Sequence, residues 1–407
     1  MKKVLDRFLK YVAIDTESDP KSESYPSSQK QKNLLKELVL ELLELGIENA
    51  RMDENGYVYA SIPATIKDGV KLGFLAHVDT SSAVSGKNIQ TKIVYNYDGK
   101  DIVLNEKLNI VMSPNVYPVL KDCINQDLIV TDGTTLLGAD DKAGIAEIMA
   151  MAEYYMSHKE IPHGEILIAF TPDEEVGSGV KYFNLNEFKA DYAYTIDGGA
   201  LGEIEYENFN AASMEVLAHG ASIHPGTAKD RMINAIEVLY DFHNLLPCQM
   251  RPQYTEKYEG FYHLDEICGK VQEANANYII RDHDWTKFQE KKEYAKKACN
   301  LINEKYGKCV LEVNIKDSYY NMKEKVLPHM HLIKNAEIAM TKLGVVAQVM
   351  PIRGGTDGAH LSFKGLVCPN LCTGGYNFHG IYEFIPIQSM EKIVDILIEI
   401  VKLYANV

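Results

Sequence analysis

The sequence predicts an α/β protein in which helices flank a mixed central sheet and a smaller α+β domain is inserted into the chain. Short apolar runs alternate with stretches of helical periodicity, first up to about residue 208 and again near the C-terminal end. Between Phe209 and Asp317 the pattern changes to strands around a strongly charged helix. A chain of 407 residues also exceeds what one hydrophobic core usually serves. We therefore expect one domain formed by residues 1–208 and 318–407, and an inserted domain formed by residues 209–317.

The charge balance and the N-terminal segment restrict the classes of partner. Lys and Arg number 42 against 57 Asp and Glu, and the resulting net charge of −15 argues against nucleic acid or an anionic membrane as the main partner. The N-terminal segment mixes charges without a signal-peptide core, and no run of about 18 apolar residues follows it. The seven cysteines are odd in number and scattered, which is typical of free thiols. We therefore expect a cytoplasmic protein.

The elements before residue 130 are predicted from apolar periodicity. Residues 2–14 and 29–45 carry helical spacing, and the second stretch stops at a glycine. Tyr57–Ile62 and Lys71–Val78 have the composition of buried strands. The segment from Ser81 to Asp127 is irregular, with short alternating pieces, so we expect an excursion that contains a hairpin.

The stretch from Thr134 to Tyr155 contains two adjacent carboxylates, Asp140 and Asp141, where a helix begins. Apolar residues recur at helical spacing from Lys142 onwards, so the pair lies where free backbone N–H groups favour negative charge. One aspartate is explained as an ordinary N-cap. The second carboxylate needs another explanation.

Three predicted strands end in acidic or histidine residues. His77 and Asp79 follow the strand within Lys71–Val78, and polar residues at the carboxyl ends of strands are where open α/β sheets place their sites. The run Glu165–Thr171 is followed by Asp173, Glu174 and Glu175, and Ala190–Ile196 is followed by Asp197. Together with the aspartate pair these make four clusters within about 120 residues. Unpaired carboxylates repel one another, so this grouping favours a cation site over isolated caps.

Beyond residue 208 the inserted domain begins, and later the first pattern resumes. The inserted segment contains the turn His224-Pro225-Gly226, a helix, and two strands around a charged helix. After Tyr320 we expect further helices, strands and loops of the first domain: helix His329–Leu343, strand Val345–Val349, the glycine-rich loop Arg353–Gly358, strand Leu366–Asn370, the loop Gly374–Gly380 with His379, and helix Ser389–Tyr404.

The candidate ligands provide nitrogen and oxygen without thiolate. Such a set suits Zn²⁺ or related divalent ions, and one carboxylate shared between two ions would explain the acidity of the cluster. Two ions can polarise a carbonyl and lower the pKa of a water, which is the chemistry of hydrolysis. Glu174 could carry the proton, while Asp79 could orient the His77 imidazole. The candidate ligands are His77, Asp140, Glu175, Asp197 and His379.

Several strings resemble those of a di-zinc family that contains tripeptide aminopeptidases, glutamate carboxypeptidase and related deacylases. They are LAHVDT, GADDKAG, TPDEEVGSG, HPGTAK, IRGGTDGA and TGGYNFHG. The resemblance covers essentially the whole chain. The last strings, with IIRD and DSYYNM, are similar to the tripeptide aminopeptidases in particular.

The resemblance implies a zinc-dependent aminopeptidase that releases the N-terminal residue of tripeptides. It implies two Zn²⁺ per subunit, one on His77 and Asp197 and one on Glu175 and His379, with Asp140 bridging them. It also implies that Asp79 supports the first histidine, that Glu174 is the base, and that a cis peptide follows Asp140. The inserted domain would be a lid or a dimerisation domain, making a homodimer possible.

Three residues outside the ligand set are weaker candidates. His224 is implied as a second-domain group that stabilises the oxyanion, although His-Pro-Gly is also an ordinary turn. Arg353 could hold the substrate's C-terminal carboxylate, or its loop could be purely structural. Arg281 is a further candidate for substrate binding. We interpret the other nine of the 12 histidines as solvated or structural.

Alternative functions remain open from the sequence. A related di-zinc dipeptidase or N-acyl amino acid deacylase would carry the same metal site, and the requirement for a free ammonium group distinguishes the deacylase. A catalytically silent peptide-binding protein is the other class, but binding alone gives no reason for a general base such as Glu174.

Overall fold

The structure is a computed structural model that describes residues 3–405, so residues 1, 2, 406 and 407 of the predicted elements and domains lie outside it. Nine α-helices lie within these residues: α1 (Val4–Val12), α2 (Gln31–Glu44), α3 (Ala139–Ser157), α4 (Ala235–Leu245), α5 (Trp285–Tyr306), α6 (Lys323–Val326), α7 (His331–Lys342), α8 (Asp357–Lys364) and α9 (Ile387–Ala405).

Seventeen strands occur in the same part of the chain. They are β1 (Arg51–Met52), β2 (Val58–Ile62), β3 (Leu72–His77), β4 (Thr91–Val94), β5 (Ile102–Asn105), β6 (Ile110–Met112), β7 (Leu128–Thr131), β8 (Ile166–Thr171), β9 (Tyr192–Gly198), β10 (Glu203–Asn208), β11 (Asn210–His219), β12 (Phe261–Gly269), β13 (Glu273–Asp282), β14 (Leu311–Tyr319), β15 (Gln348–Ile352), β16 (Asn370–Cys372) and β17 (Ile385–Pro386).

The chain divides into two compact units. The first comprises the residues up to Tyr206, Glu324–Met350 and the residues from Thr356 onward. The second comprises Glu207–Lys323 together with Pro351–Gly355, a short stretch that the sequence analysis placed with the first domain.

The first unit is built on an eight-stranded sheet in the order β1-β2-β8-β3-β9-β16-β10-β15. Strand β3 runs parallel to both β8 and β9, whereas β1 pairs antiparallel with β2, β2 with β8, and β10 with β16. The prediction of a mixed central sheet is therefore confirmed. The carboxyl ends of β3, β8 and β9 meet at one edge of the sheet, and this edge is where the polar clusters lie.

Apolar sequence explains why these strands are central. Every residue of β3 and β8 is buried, as expected for parallel strands covered on both faces. Helix α3 is buried along most of its length and packs on α1, α9 and β3. One end of this helix is thereby held against the sheet edge that carries the polar clusters.

The excursion between β3 and α3 has a small core of its own. Strands β5 and β6 form the expected antiparallel hairpin, and β4 and β17 pair with β7 on either side. Buried side chains of these strands and of the segments beside them form a separate cluster that includes Met112, Leu120 and Phe384.

The second unit is an antiparallel sheet in the order β12-β13-β11-β14, with α4 and α5 packed against it. Strands β11 and β13 pair over ten residues, from Asn210 opposite Asp282 to His219 opposite Glu273. Alternation in β13 places Ala276, Tyr278 and Ile280 in the core of the unit. This layout is the α+β arrangement expected for the inserted segment.

Two predicted strands are displaced in the structure. The expected strand Val345–Val349 begins at Gln348, because the Val345 N–H donates to the carbonyl of Met340 and completes the end of α7 after Gly344. The expected strand Leu366–Asn370 is replaced by Asn370–Cys372, since Pro369 has no N–H to offer a ladder.

No helix within residues 3–405 combines the length and the apolar character that crossing a membrane requires.

A buried ionic network joins the first three helices. Arg7 of α1 is 1% exposed and donates to Glu41 of α2 at 2.7 Å and to Glu153 of α3 at 2.9 Å. The Tyr11 hydroxyl donates to the second oxygen of Glu41 at 3.0 Å. The charges are therefore paired although water is excluded.

We expect Arg7→Met to lower the free energy of unfolding by about 3–5 kcal/mol, because it removes the buried guanidinium that neutralises the carboxylates of Glu41 and Glu153. Urea denaturation followed by circular dichroism measures this change. Lys100→Met is the control, because Lys100 pairs with Asp98 on the exposed surface and should leave the transition unchanged. Equal transitions for wild type and Arg7→Met would contradict the expectation.

Candidate metal centre

His77 is the last residue of β3 and is 2% exposed. Its Nδ1 lies 3.0 Å from the backbone carbonyl of Asp79, which fixes the proton on that nitrogen. Nε2 is then left with a lone pair, and it faces carboxylates at 2.9 Å (Asp140) and 3.3 Å (Asp197). The imidazole is thus oriented as a metal ligand requires.

Asp140 and Asp141 do not cap the helix that follows them. Helix α3 has Gly138 at its N-cap in the left-handed conformation, neither aspartate has helical backbone angles, and no side chain caps the end. The bond between the two aspartates is a cis peptide, as the resemblance implied. The side chain of Asp141 instead accepts the His77 backbone N–H at 3.0 Å. The N-cap explanation therefore fails for both residues.

A glycine two residues after Lys142 permits this end of α3 to approach the sheet. A Cβ added at Gly144 would lie 2.0 Å from the carbonyl oxygen of Ile196 in β9 and 2.5 Å from an oxygen of Asp141. Any larger residue would push the aspartate pair away from Asp197.

The carboxylate of Asp140 lies between two histidines. Oδ1 is 2.9 Å from Nε2 of His77, and Oδ2 is 3.0 Å from Nε2 of His379. Asp197 lies beside the first histidine, and Glu175 lies 3.0 Å from the second. The structure thus brings all five candidate ligands together. The Asp140 carboxylate lies between one pair, His77 and Asp197, and the other pair, Glu175 and His379.

Asp79 and Asp173 hold the segment that carries Glu174 and Glu175. The Asp79 carboxylate accepts the N–H groups of both glutamates, at 3.0 and 3.1 Å, and lies 3.4 Å from Nδ1 of His77. Asp173 has a φ of 61° and accepts hydrogen bonds from Ser27 and Gln31. The turn after β8 is therefore fixed from two sides.

The electrostatics of the cluster are those of a site short of positive charge. Burial raises the pKa of Glu174 well above its usual value and the pKa of Glu175 to about 7, and it also raises the pKa of Asp197. Hydrogen bonds to Asp140 and Glu175 raise the pKa of His379 to about 11. Each carboxylate would thus be more easily ionised, and each imidazole more easily kept neutral, if a cation were shared among them.

The donor chemistry fits divalent metal ions. His77, Asp140 and Glu175 offer ligand atoms that all lie within 4.8 Å of one another, and so do His77, Asp141 and Asp197. One oxygen of Asp141 is buried and has no hydrogen-bond partner within residues 3–405. Imidazole nitrogen and carboxylate oxygen at this spacing are the ligands expected for zinc and its neighbours.

Two residues of this region were missed by the sequence analysis as site residues. Asp141 could have been found, because its adjacency to Asp140 was unexplained. Glu383 is buried and accepts the N–H groups of Leu137, Gly138 and Asp140. No local pattern marked it, since its partners lie about 245 residues away along the chain.

The remaining predicted residues lie in the second unit. His224 is exposed, and its Nδ1 accepts the Gly226 N–H at 3.1 Å, as in an ordinary turn. The guanidinium of Arg281 stacks over Tyr319 at 5.1 Å and donates to the carbonyl of Ile280 at 3.1 Å.

The Arg353 side chain makes its hydrogen bonds with other residues of the second unit. It donates to the carbonyls of Lys257 and Glu259 at 2.7 and 3.0 Å and to the Thr255 hydroxyl at 3.0 Å. Its guanidinium lies over the ring of Phe209 at 5.1 Å and also near Phe261. These contacts are those of an arginine that fixes a loop.

Known proteins resemble this chain in sequence and in fold. The family described as Peptidase family M20/M25/M40 matches residues 133–403. Peptidase T of Alkaliphilus oremlandii is 53% identical over 409 residues, covering 100% of both chains.

Two solved structures have the same fold at low identity. A tripeptidase from Staphylococcus aureus is 24% identical with a TM-score of 0.79, covering 100% of this chain and 98% of that one. The Bacillus subtilis YXEP protein, a dinuclear metal binding peptidase from the M20 family, is 13% identical with a TM-score of 0.64, covering 99% and 98%. The full-length identity to the Alkaliphilus protein and the family match lead to one conclusion: this chain belongs to peptidase family M20/M25/M40, and it is a hydrolase that acts on peptide bonds.

Proposed function

We propose that this chain is a di-zinc aminopeptidase that releases the N-terminal residue of tripeptides. The observation that carries the proposal is the Asp140 carboxylate, whose two oxygens face one histidine each at 2.9 and 3.0 Å. A relative named Peptidase T that matches over the whole chain supports the peptide substrate. The strings that resemble tripeptide aminopeptidases support the length of that peptide.

The five candidate ligands are assigned to two zinc ions. His77 and Asp197 would hold one ion, Glu175 and His379 would hold the other, and Asp140 would be common to both. Two such ions, when bound, polarise the scissile carbonyl and lower the pKa of the attacking water.

The chain itself supplies the proton transfer. Glu174 has its backbone N–H fixed by Asp79 and is adjacent in sequence to the candidate ligand Glu175, but it belongs to neither candidate ligand set. Its carboxylate takes the proton from the attacking water and passes it to the leaving amine. Burial, which raises its pKa well above the usual value, favours a group that can hold that proton.

Substrate recognition is assigned to residues of the second unit. His224 would donate to the oxyanion, from its own subunit or from a second copy of the chain, since Nδ1 is occupied by Gly226 and Nε2 remains for the substrate. Arg353 would bind the C-terminal carboxylate, with Arg281 as the second candidate. The chain would act in the cytoplasm, as its seven free cysteines suggest, and as a homodimer through the second unit.

A series of di-, tri- and tetrapeptides with free and acetylated N-termini tests the proposed specificity. A tripeptide aminopeptidase should cleave only the free-amine tripeptides efficiently. Preference for acetylated substrates would instead identify a deacylase, and preference for dipeptides a dipeptidase.

We expect Glu174→Ala to retain both metal ions and to lose about 10²–10⁴-fold in kcat, because it removes the proton carrier and no ligand. Elemental analysis and steady-state kinetics measure the two quantities. Glu175→Ala is the matched variant, since it removes the neighbouring carboxylate and should lose metal. If Glu174→Ala is as metal-depleted as Glu175→Ala, the roles of the two glutamates are reversed.

Removal of divalent ions should abolish activity, and zinc, cobalt or manganese should restore it. Imidazole and carboxylate ligands accept all three ions. Dialysis against a chelator, followed by titration with each ion, provides the measurement. A fully active enzyme after exhaustive chelation would rule out the metal mechanism.

We expect Arg353→Ala to lower kcat/KM for tripeptides by roughly 10–100-fold, which corresponds to about 1.4–2.8 kcal/mol, and to affect C-terminally amidated tripeptides far less. The reason is loss of a charge-assisted pair with the carboxylate. The comparison also separates the two roles of this arginine. Equal losses on acid and amide substrates would show that Arg353 only holds the loop that contains Lys257 and Glu259.

A further inference from the structure

His379 lies on a short loop that is closed on itself. Tyr376 and Phe384 exchange two backbone hydrogen bonds, at 2.9 and 3.1 Å, and so form the base of the loop. His379 has a φ of 61°, and the side chain of Asn377 donates across the loop to the carbonyl of Tyr382. We call residues 376–384 the His379 loop.

Glu383 belongs to the base of the His379 loop, but its carboxylate contacts another segment. It is 2% exposed, and Oε2 accepts the N–H groups of Leu137 at 2.6 Å and Gly138 at 2.8 Å. Oε1 accepts the N–H of Asp140 at 3.2 Å. One side chain thus accepts three of the four N–H groups from Leu137 to Asp140, where α3 begins.

These contacts connect two of the segments that carry candidate ligands. The N–H groups at the start of a helix have no intrahelical partner, and an anion there gains both hydrogen bonds and the helix dipole. The segment from Leu137 to Asp140, which we call the Asp140 turn, is therefore bound by Glu383. Glu383 is four residues from His379 along the chain. The side chains of Asp140 and His379, carried by the two connected segments, lie 3.0 Å apart.

We infer that Glu383 is a positioning residue that holds Asp140 and His379 at the separation needed to share a metal ion. The inference rests on the proposed metal function. Glu383 belongs to neither candidate ligand set, and it contacts the main chain of a candidate ligand, Asp140, instead of its side chain. Partners of this kind behind metal ligands typically contribute about 10–100-fold to metal affinity.

The test is Glu383→Gln, which keeps the size of the side chain. A glutamine can place its oxygen toward Leu137 and Gly138, but its NH₂ group would then face the N–H of Asp140, and two donors cannot bond. The isosteric change thus removes one specific contact. Competition titration of the metal-free protein with zinc, against a chromophoric chelator, gives the number of sites and their dissociation constants.

Glu147→Gln is the matched control. Glu147 is fully buried in α3, the helix whose first turn contains Asp140, and neither of its oxygens has a hydrogen-bond partner within residues 3–405. The control makes the same chemical change to a buried glutamate without touching the Asp140 turn. Circular dichroism below the unfolding transition establishes that each variant is folded, and if Glu383→Gln does not fold, Glu383→Asp, which keeps the charge but shortens the reach, replaces it.

The expected result is that Glu383→Gln binds zinc about 10–100-fold more weakly, while Glu147→Gln binds it as wild type does. The kcat of Glu383→Gln should rise toward the wild-type value as free zinc increases, while its KM changes little. A purely structural defect would not be rescued by zinc in this way. Zinc affinity equal to wild type in the folded Glu383 variant overturns the inference. Wild-type protein that binds fewer than two ions would overturn the proposed metal pair itself, and the same titration separates these two failures.

Discussion

The Asp140 carboxylate contacts two imidazole rings at once. This double contact is the constraint that the surrounding segments of the first unit satisfy. Its two oxygens lie 2.9 and 3.0 Å from nitrogens of His77 and His379. The histidines come from distant parts of the chain, so the contact exists only if a strand end, a helix start and a loop converge. Parallel strands beside β3, the buried helix α3 and the Glu383 carboxylate supply that convergence.

Burying several ionised carboxylates together costs free energy, and nearby hydrogen-bond donors offset part of that cost. Burial disfavours the charged forms of Glu174, Glu175 and Asp197. Burial also raises the pKa of Glu383 to about 7, and the backbone N–H groups that donate to its carboxylate offset part of that effect. Backbone N–H groups donate to the Asp79 carboxylate as well. The remaining excess of negative charge lies where the candidate ligands face one another, which is the arrangement that favours cation binding.

The central sheet, the hairpin and the grouping of the five candidate ligands could be predicted from the sequence, because apolar runs define buried strands and parallel strands end at one edge. Contacts that depend on tertiary structure could not. Glu383 reads as an ordinary loop residue until the turn before α3 is placed against it. The partners of Arg353 are backbone carbonyls, which carry no sequence signal, and Val345 is recruited by the end of α7 after Gly344.

The membership of Pro351–Gly355 in the second unit means that this unit is not one continuous piece of chain. The polypeptide enters it at Glu207, leaves after Lys323, and returns for five residues before leaving again. Arg353, carried by the returning piece, covers the rings of Phe209 and Phe261. A fragment cut at the two obvious boundaries would lack this cover, leaving two aromatic faces open to water. The second unit is therefore an unsuitable module for excision or transplantation unless the returning strand is supplied with it.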